Sequence, residues 1–308
     1  MLPTQTAMLN AWHAGLMIPA FNVPYLPMMQ PVIQAVVDQD AFALIEVARL
    51  EWIKFEAQSQ AAVRDEFRRW QQPDHVRLHQ DHVPVIDEDN LHVDFLSILQ
   101  SAIDLGYHSV MVDGSRLSLE DNIAATRQAV ELAHAAGVPC EAELGAVLGH
   151  EAGPLPPYEE LFASGQGFTA VEEARRFAAE TGCDWLSVAI GNIHGAISGL
   201  AKDQKKVEAR LSLDHLAKLR QATGVPLVLH GGSGVRRDDV LAGVKLGIAK
   251  INIGTEIRQA YEQKLRESGS TAAAQDACYE RTVWVIRDYF GLNGKRSIIT
   301  GGPSLRSG

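Results

Sequence analysis

The sequence predicts an α/β chain of the (β/α)8, or TIM-barrel, class. Three observations point there. The 308 residues alternate short apolar runs with longer amphipathic ones. Eight of the apolar runs have strand length. Amphipathic stretches end in stops such as Gly137-Val138-Pro139 and Gly224-Val225-Pro226, which suit a helix end feeding a strand. Eight strand–helix units in a chain of this length imply a closed parallel barrel. An open doubly wound sheet is the rival, but about six strands would be more usual for it.

The predicted strands are 17–23, 41–47, 76–82, 109–114, 139–145, 185–191, 226–232 and 250–254. Helix-like stretches between them include 119–136, 170–181, 213–222 and 237–246. Residues 51–72 read as one long charged helix between strands two and three. Residues 146–168 follow strand five and hold Gly149, Gly153, Pro154, Pro156, Pro157, Gly165 and Gly167, the composition of a long lid loop. Residues 276–290 read as an extra C-terminal helix, and the tail from Gly291 is expected to be loose. Neither a linker nor a low-complexity segment divides the chain, so residues 1–308 are expected to form one domain.

Composition narrows the function. Hydrophobic residues make up 46% and charged residues 21%, enough to bury a large core. The net charge of −10 argues against nucleic acid as a partner. A phosphorylated small molecule stays possible, because clustered backbone N–H groups and a metal can outweigh the global charge. Cys140, Cys183 and Cys278 form no CxxC and are expected to be reduced and buried in a cytoplasmic protein. The N-terminus lacks a signal-peptide pattern. No apolar stretch reaches about 18 residues, so no membrane span is expected.

The chemistry concentrates at strand ends. The run 76–82 ends in Asp81-His82, the sixth run leads into His194-Gly195, and the seventh into His230-Gly231-Gly232-Ser233-Gly234. C-terminal strand ends of a barrel converge on one face. That gathers Asp81, His82, Glu143, His194, His230 and Asn252 around one opening. Three imidazoles can hold zinc and leave a position open for substrate oxygens. Each histidine alone reads equally well as a polar residue satisfied at a strand end; their recurrence at equivalent places favours the metal. Asp81, beside a ligand, can exchange a proton with a substrate oxygen, or merely hold a histidine tautomer. His79 shares the Asp81 face of its strand and is expected to fill the barrel or orient Asp81. The turns at Gly195, at Gly231 to Gly234 and at Asn252-Ile253-Gly254-Thr255 can bind phosphate through backbone N–H groups and the hydroxyls of Ser233 and Thr255.

At these residues the chain resembles the class II, metal-dependent ketose-bisphosphate aldolases of the fructose- and tagatose-bisphosphate type. The matching pieces are Ala20-Phe-Asn22-Val, His79-Gln-Asp81-His82, Val112-Asp-Gly-Ser115, Glu141-Ala-Glu143-Leu-Gly, Gly191-Asn-Ile-His194-Gly195, His230-Gly-Gly-Ser233-Gly234 and Lys250-Ile-Asn252-Ile-Gly254-Thr255-Glu. The resemblance implies His82, His194 and His230 as ligands of one Zn2+, with Glu143 an alternative ligand or a group just behind them. It implies Asp81 as the acid/base at the C4 hydroxyl and Glu151 as the lid carboxylate that moves the substrate carbon proton. Gly195, Gly231, Ser233 and Thr255 match the phosphate cradle, with Asn22, Asn252 and Gly254 beside the substrate. A monovalent cation, Na+ or K+, and a homodimer or homotetramer are also implied.

The implied activity is reversible cleavage of a phosphorylated ketose to dihydroxyacetone phosphate and an aldehyde through a metal-stabilised enediolate. A metal-dependent hydrolase on the same barrel and a non-catalytic sugar-phosphate-binding protein are the alternatives. The chain departs from the family pattern at Gly254 and Glu256, where many fructose-bisphosphate members carry aspartate, and at Val83, the place of a usual glycine. It also reads Arg49-Leu-Glu51-Trp52 where a Ser-x-Gly-like segment is usual. Arg49 is therefore a candidate specificity residue for an acidic or differently configured substrate, or else the partner of Glu46 or Glu51 in an ion pair that only shapes the loop. Fructose 1,6-bisphosphate is not expected to be the best substrate.

Overall fold

The structure, a computed structural model, describes residues 3–145, 158–192, 209–232 and 235–301. The strands are β1 (Ile18–Asn22), β2 (Ala43–Ala48), β3 (Val76–Pro84), β4 (Ser109–Asp113), β5 (Cys140–Leu144), β6 (Trp185–Val188), β7 (Leu227–Leu229) and β8 (Ile248–Ile253). They pair in chain order, all parallel, and β8 pairs with β1 to close the barrel. All eight match apolar runs of the sequence. Such strands read as continuous apolar runs because helices cover the outer face while side chains fill the inner one; β1 and β2 are buried along their whole length.

The helices before the lid are α1 (Thr4–His13), α2 (Met29–Asp38), α3 (Arg49–Lys54), α4 (Gln60–Trp70), α5 (Phe95–Asp104) and α6 (Leu119–Ala135). Beyond it come α7 (Tyr158–Ser164), α8 (Val171–Thr181), α9 (Leu213–Thr223), α10 (Arg237–Lys245), α11 (Thr255–Ser268), α12 (Thr271–Trp284) and α13 (Arg296–Thr300). The Ser118 hydroxyl caps α6 by accepting from the Asp121 N–H. Gly224 ends α9 in the left-handed region, with φ of 67°, and turns the chain into β7.

Four expectations need correction or completion. The stretch 51–72 is two helices, α3 and α4. The chain breaks at Gln58, whose φ is 65°, and α4 restarts where the Ser59 hydroxyl accepts from the Ala62 N–H. The tail is not loose as far as residue 301: Arg296, which opens α13, is buried, with Nε 2.7 Å from Asp40 Oδ1. The added C-terminal helix is α12, which starts earlier than expected and ends in a π-helical turn at Val285–Tyr289. Of the predicted lid, 146–157 lie outside the described residues, and its later part holds α7.

Inside the barrel, side chains fall into three levels. At the N-terminal end, Ala7, Met8 and Ala11 of α1 meet Ile18, Phe42 and Trp185, so α1 plugs the floor. At the waist, Lys250 Nζ lies 2.8 Å from Glu141 Oε2 and 3.3 Å from Glu46 Oε2, all three side chains fully buried. His79 joins this level, its Nδ1 2.8 Å from Ser109 Oγ, and thus fills the barrel. The third level is the C-terminal mouth.

Candidate active site

A defect in β3 builds the mouth. Its register with β4 shifts between Gln80 and Val83, so β3 carries one extra residue. His82 takes up the irregularity with a φ of 25°. Neighbouring residues of a regular strand face opposite sides. Here the bulge lets both Asp81 and His82 reach the opening. A non-glycine residue held there costs about 1–3 kcal/mol, which the surrounding structure must offset.

Asp81 is fixed from both sides. Asn22 Nδ2 donates to Oδ2 at 2.9 Å and Asn252 Nδ2 to Oδ1 at 3.0 Å. Burial acts to raise its pKa, but His82, Lys250 and His230 hold it well below the usual carboxylate range. Asp81 is thus an ionised base with a fixed orientation.

Beside it, the His82 and His230 rings meet with centroids 4.5 Å apart. His82 Nδ1 lies 3.1 Å from Asp113 Oδ2 and 3.6 Å from Glu143 Oε2. His230 Nδ1 lies 3.2 Å from the same Glu143 oxygen. Burial acts to lower both imidazoles, yet Asp81 and Asp113 raise His82, while Glu141 and Glu143 raise His230. Burial, with Asp113 nearby, raises Glu143. The field at this point favours a cation. One atom each of Asp81, His82 and His230 lie within 4.8 Å of one another, as do atoms of His82, Asp113 and Glu143. Imidazole nitrogen and carboxylate oxygen are donors that suit zinc, so these residues fit that ion.

His194, Gly195, Glu151 and Ser233, all expected at the site, lie outside the described residues. Gly231 and Gly232 are described. Gly231 has a φ of 67°, and a Cβ on Gly232 would stand 2.6 Å from Ile251 Cγ2, so the turn after β7 runs tight against β8. Asn192 ties that turn down by donating to the His230 carbonyl at 2.8 Å. Thr255 opens α11, whose first N–H groups are suited to an anion. A Cβ on Gly254 would lie 3.3 Å from Asn22 Oδ1, so an aspartate there would crowd the amide that holds Asp81. Glu256 turns away to Arg281, 3.1 Å distant.

Five residues of the site and its support carried no catalytic, ligand or substrate-binding expectation from the sequence. Asp113 sits at the end of β4, and Glu141 two positions before Glu143, on the same strand face. Glu141 Oε1 is 2.9 Å from His230 Nε2, and its Oε2 accepts from Trp185 Nε1 at 2.6 Å. Glu46 and Lys250 complete the waist. Glu51 Oε2 accepts from the Ala48 N–H at 2.8 Å, and the Asn22 side chain interacts with its carboxyl group. Burial, with Asp81 adding to it, pushes Glu51 up to about 8. The ion-pair partner of Arg49 is Asp87, at 3.5 Å, rather than Glu46 or Glu51.

Fold and site together describe a parallel barrel with a cation-ready polar mouth at its C-terminal end, above an ionised carboxylate. The family profile for fructose-bisphosphate aldolase class-II matches residues 3–291. The chain belongs to the class-II fructose-bisphosphate aldolase family. A fructose-bisphosphate aldolase of Streptococcus pyogenes is 41% identical over 179 residues, 58% of this chain. The aligned part is 56% of the length of that relative. YdjI of Escherichia coli K12 is 41% identical over 219 residues, 69% of this chain and 73% of YdjI. The crystal structure of the YdjI aldolase superposes with a TM-score of 0.76 at 29% identity, covering 96% of this chain and 100% of that one.

Proposed function

We propose that the protein is a zinc-dependent aldolase that reversibly cleaves a phosphorylated ketose to dihydroxyacetone phosphate and an aldehyde. The observation that carries this reading is the meeting of His82 and His230 beside Asp81 and Glu143, in a chain of the class-II aldolase family.

His82, His230 and the undescribed His194 would hold the metal, with Glu143 and Asp113 against the imidazoles. Zinc, when bound, would draw electron density from the substrate ketone as a Lewis acid. Asp81, ionised and clamped by two asparagine amides, is placed to take the C4 hydroxyl proton during cleavage. Glu151 returns a proton to the substrate carbon. Gly195, Gly231, Ser233 and Thr255 bind the phosphate of the ketone half, with Asn22, Asn252 and Gly254 lining the substrate. A monovalent cation, Na+ or K+, is part of the reading. So is a homodimer or homotetramer.

Three free cysteines, all buried, fit a cytoplasmic location. Among the described residues no helix is long and apolar enough to cross a membrane. The deciding experiment measures zinc content together with retro-aldol turnover on fructose and tagatose 1,6-bisphosphates and deoxy-keto acid phosphates. About one zinc per chain is expected, with turnover lost on chelation and restored by zinc. Full activity in metal-free protein would overturn the reading.

A further inference from the structure

Glu51 stands at a place the reaction scheme leaves without a residue. It lies in the first turn of α3, which begins directly after β2. Its carboxyl group accepts from the Ala48 N–H at 2.8 Å, Ala48 is the partner of Asp81 across β2 and β3, and the Asn22 side chain interacts with it. The same Asn22 amide donates to Asp81 at 2.9 Å. One asparagine therefore stands between two carboxyl groups, and only one of them, Asp81, has a task in the chemistry above.

We propose that Glu51 determines specificity for the aldehyde half of the substrate by hydrogen-bonding the hydroxyl next to the aldehyde carbon. The proposal rests on the aldolase reading. In that reading Asp81 serves the C4 oxygen, which is the carbonyl oxygen of the aldehyde in the synthetic direction. The neighbouring hydroxyl of a hydroxyaldehyde is one carbon further along the chain. A second carboxyl group, one amide away from Asp81, is positioned to meet it. A carboxyl group accepts a hydrogen bond when ionised and both donates and accepts when protonated, so it suits a hydroxyl in either state. Arg49, two residues earlier, is engaged by Asp87 and does not share this amide. A purely structural alternative makes Glu51 only a clamp on the start of α3 through the Ala48 N–H.

The test is aldol synthesis from dihydroxyacetone phosphate with glycolaldehyde or acetaldehyde, which differ only by that hydroxyl. The wild type should prefer glycolaldehyde in kcat/KM by on the order of 10–100-fold, the range for a hydrogen bond to a charged or strongly polar group. In Glu51→Ala the preference should shrink to within about threefold. Exchange of the dihydroxyacetone phosphate carbon proton with solvent, which needs no aldehyde, should stay within about threefold of wild type. Glu51→Gln, which keeps shape and hydrogen-bonding capacity, should retain part of the preference and serves if the alanine variant does not fold. A preference that survives Glu51→Ala, or an exchange rate that falls with it, overturns the assignment and leaves the clamp. No wild-type preference for glycolaldehyde overturns it as well. If the zinc-loaded wild type condenses neither aldehyde, the aldolase reading itself fails, and this assignment with it.

Discussion

Glu141 Oε1 lies 2.9 Å from His230 Nε2, and both side chains are fully buried beneath the barrel mouth. The contact leaves Nδ1 as the ring nitrogen that faces Glu143 and the opening. A carboxylate behind a ligating histidine fixes its orientation and strengthens it as a ligand. Burial would raise Glu141, but the Lys250 ammonium and His230 hold it ionised, well below the usual carboxylate range. The charged waist of the barrel thus supports the mouth.

Removing that support should weaken the metal site. Glu141→Ala is expected to lower zinc affinity by about 10–100-fold, the usual effect of deleting a ligand's partner. Glu141→Gln should lose less, because an amide oxygen still meets the ring. Competition against a chelator dye, with circular dichroism to establish that the variants are folded, reads the change directly. Wild-type affinity in the alanine variant would show that His230 is oriented by other groups.

The two carboxylates proposed as acid/base groups separate by what each variant loses. Asp81→Ala should lower kcat by on the order of 10²–10⁴-fold while keeping its zinc. Glu151→Ala should slow exchange of the substrate carbon proton, again with metal retained. Normal exchange in the Glu151 variant, measured by deuterium uptake, would remove that residue from its assigned role.

Much of this arrangement is legible in the sequence, for a physical reason. Strands buried on both faces must be apolar throughout, so the eight runs stand out, and residues at their ends must share one face. His79, Asp81, Glu143 and Asn252 follow from alternation alone. The waist does not. Glu46, Glu141 and Lys250 come from strands two, five and eight, and their mutual neutralisation exists only once the barrel closes. The bulge at His82 is equally silent, since no glycine marks it. Nor does local sequence reveal that α1 seals the floor or that Arg296 is tied to Asp40, because both depend on contacts across nearly the whole chain.

Acid should destabilise the fold from the far end of the barrel. Burial pulls His108 down to about 4, and Arg77 adds to this, while its Nδ1 accepts from the Leu78 N–H at 2.9 Å. Its folded value lies below its ordinary value of 6.5. The neutral form therefore stabilises the fold above pH 6.5, and that contribution is lost as the pH falls from 6.5 towards 4. Urea unfolding across this window should show stability declining with acid, and less steeply in His108→Gln. Identical slopes in the two proteins would mean that other groups carry the decline.

The last prediction concerns substrate choice. Arg49 and Asp87 form a partly exposed pair at 3.5 Å just past β2. A pair of that kind contributes at most about 1 kcal/mol to stability, so Arg49→Ala should leave the fold nearly unchanged. The guanidinium keeps further donors for a carboxylate or second phosphate at the distal end of a ketose. If it has that task, Arg49→Ala should raise KM for an acidic ketose phosphate far more than it weakens a dihydroxyacetone phosphate analogue, whose phosphate is assigned to the loops after β7 and β8. Fructose 1,6-bisphosphate should then not lead the substrate panel, on the proposal that the segment Arg49-Leu-Glu51-Trp52 after β2 meets the aldehyde half. Equal losses for both ligands, or fructose 1,6-bisphosphate as the best substrate, would reduce Arg49 to a partner of Asp87 that shapes the rim.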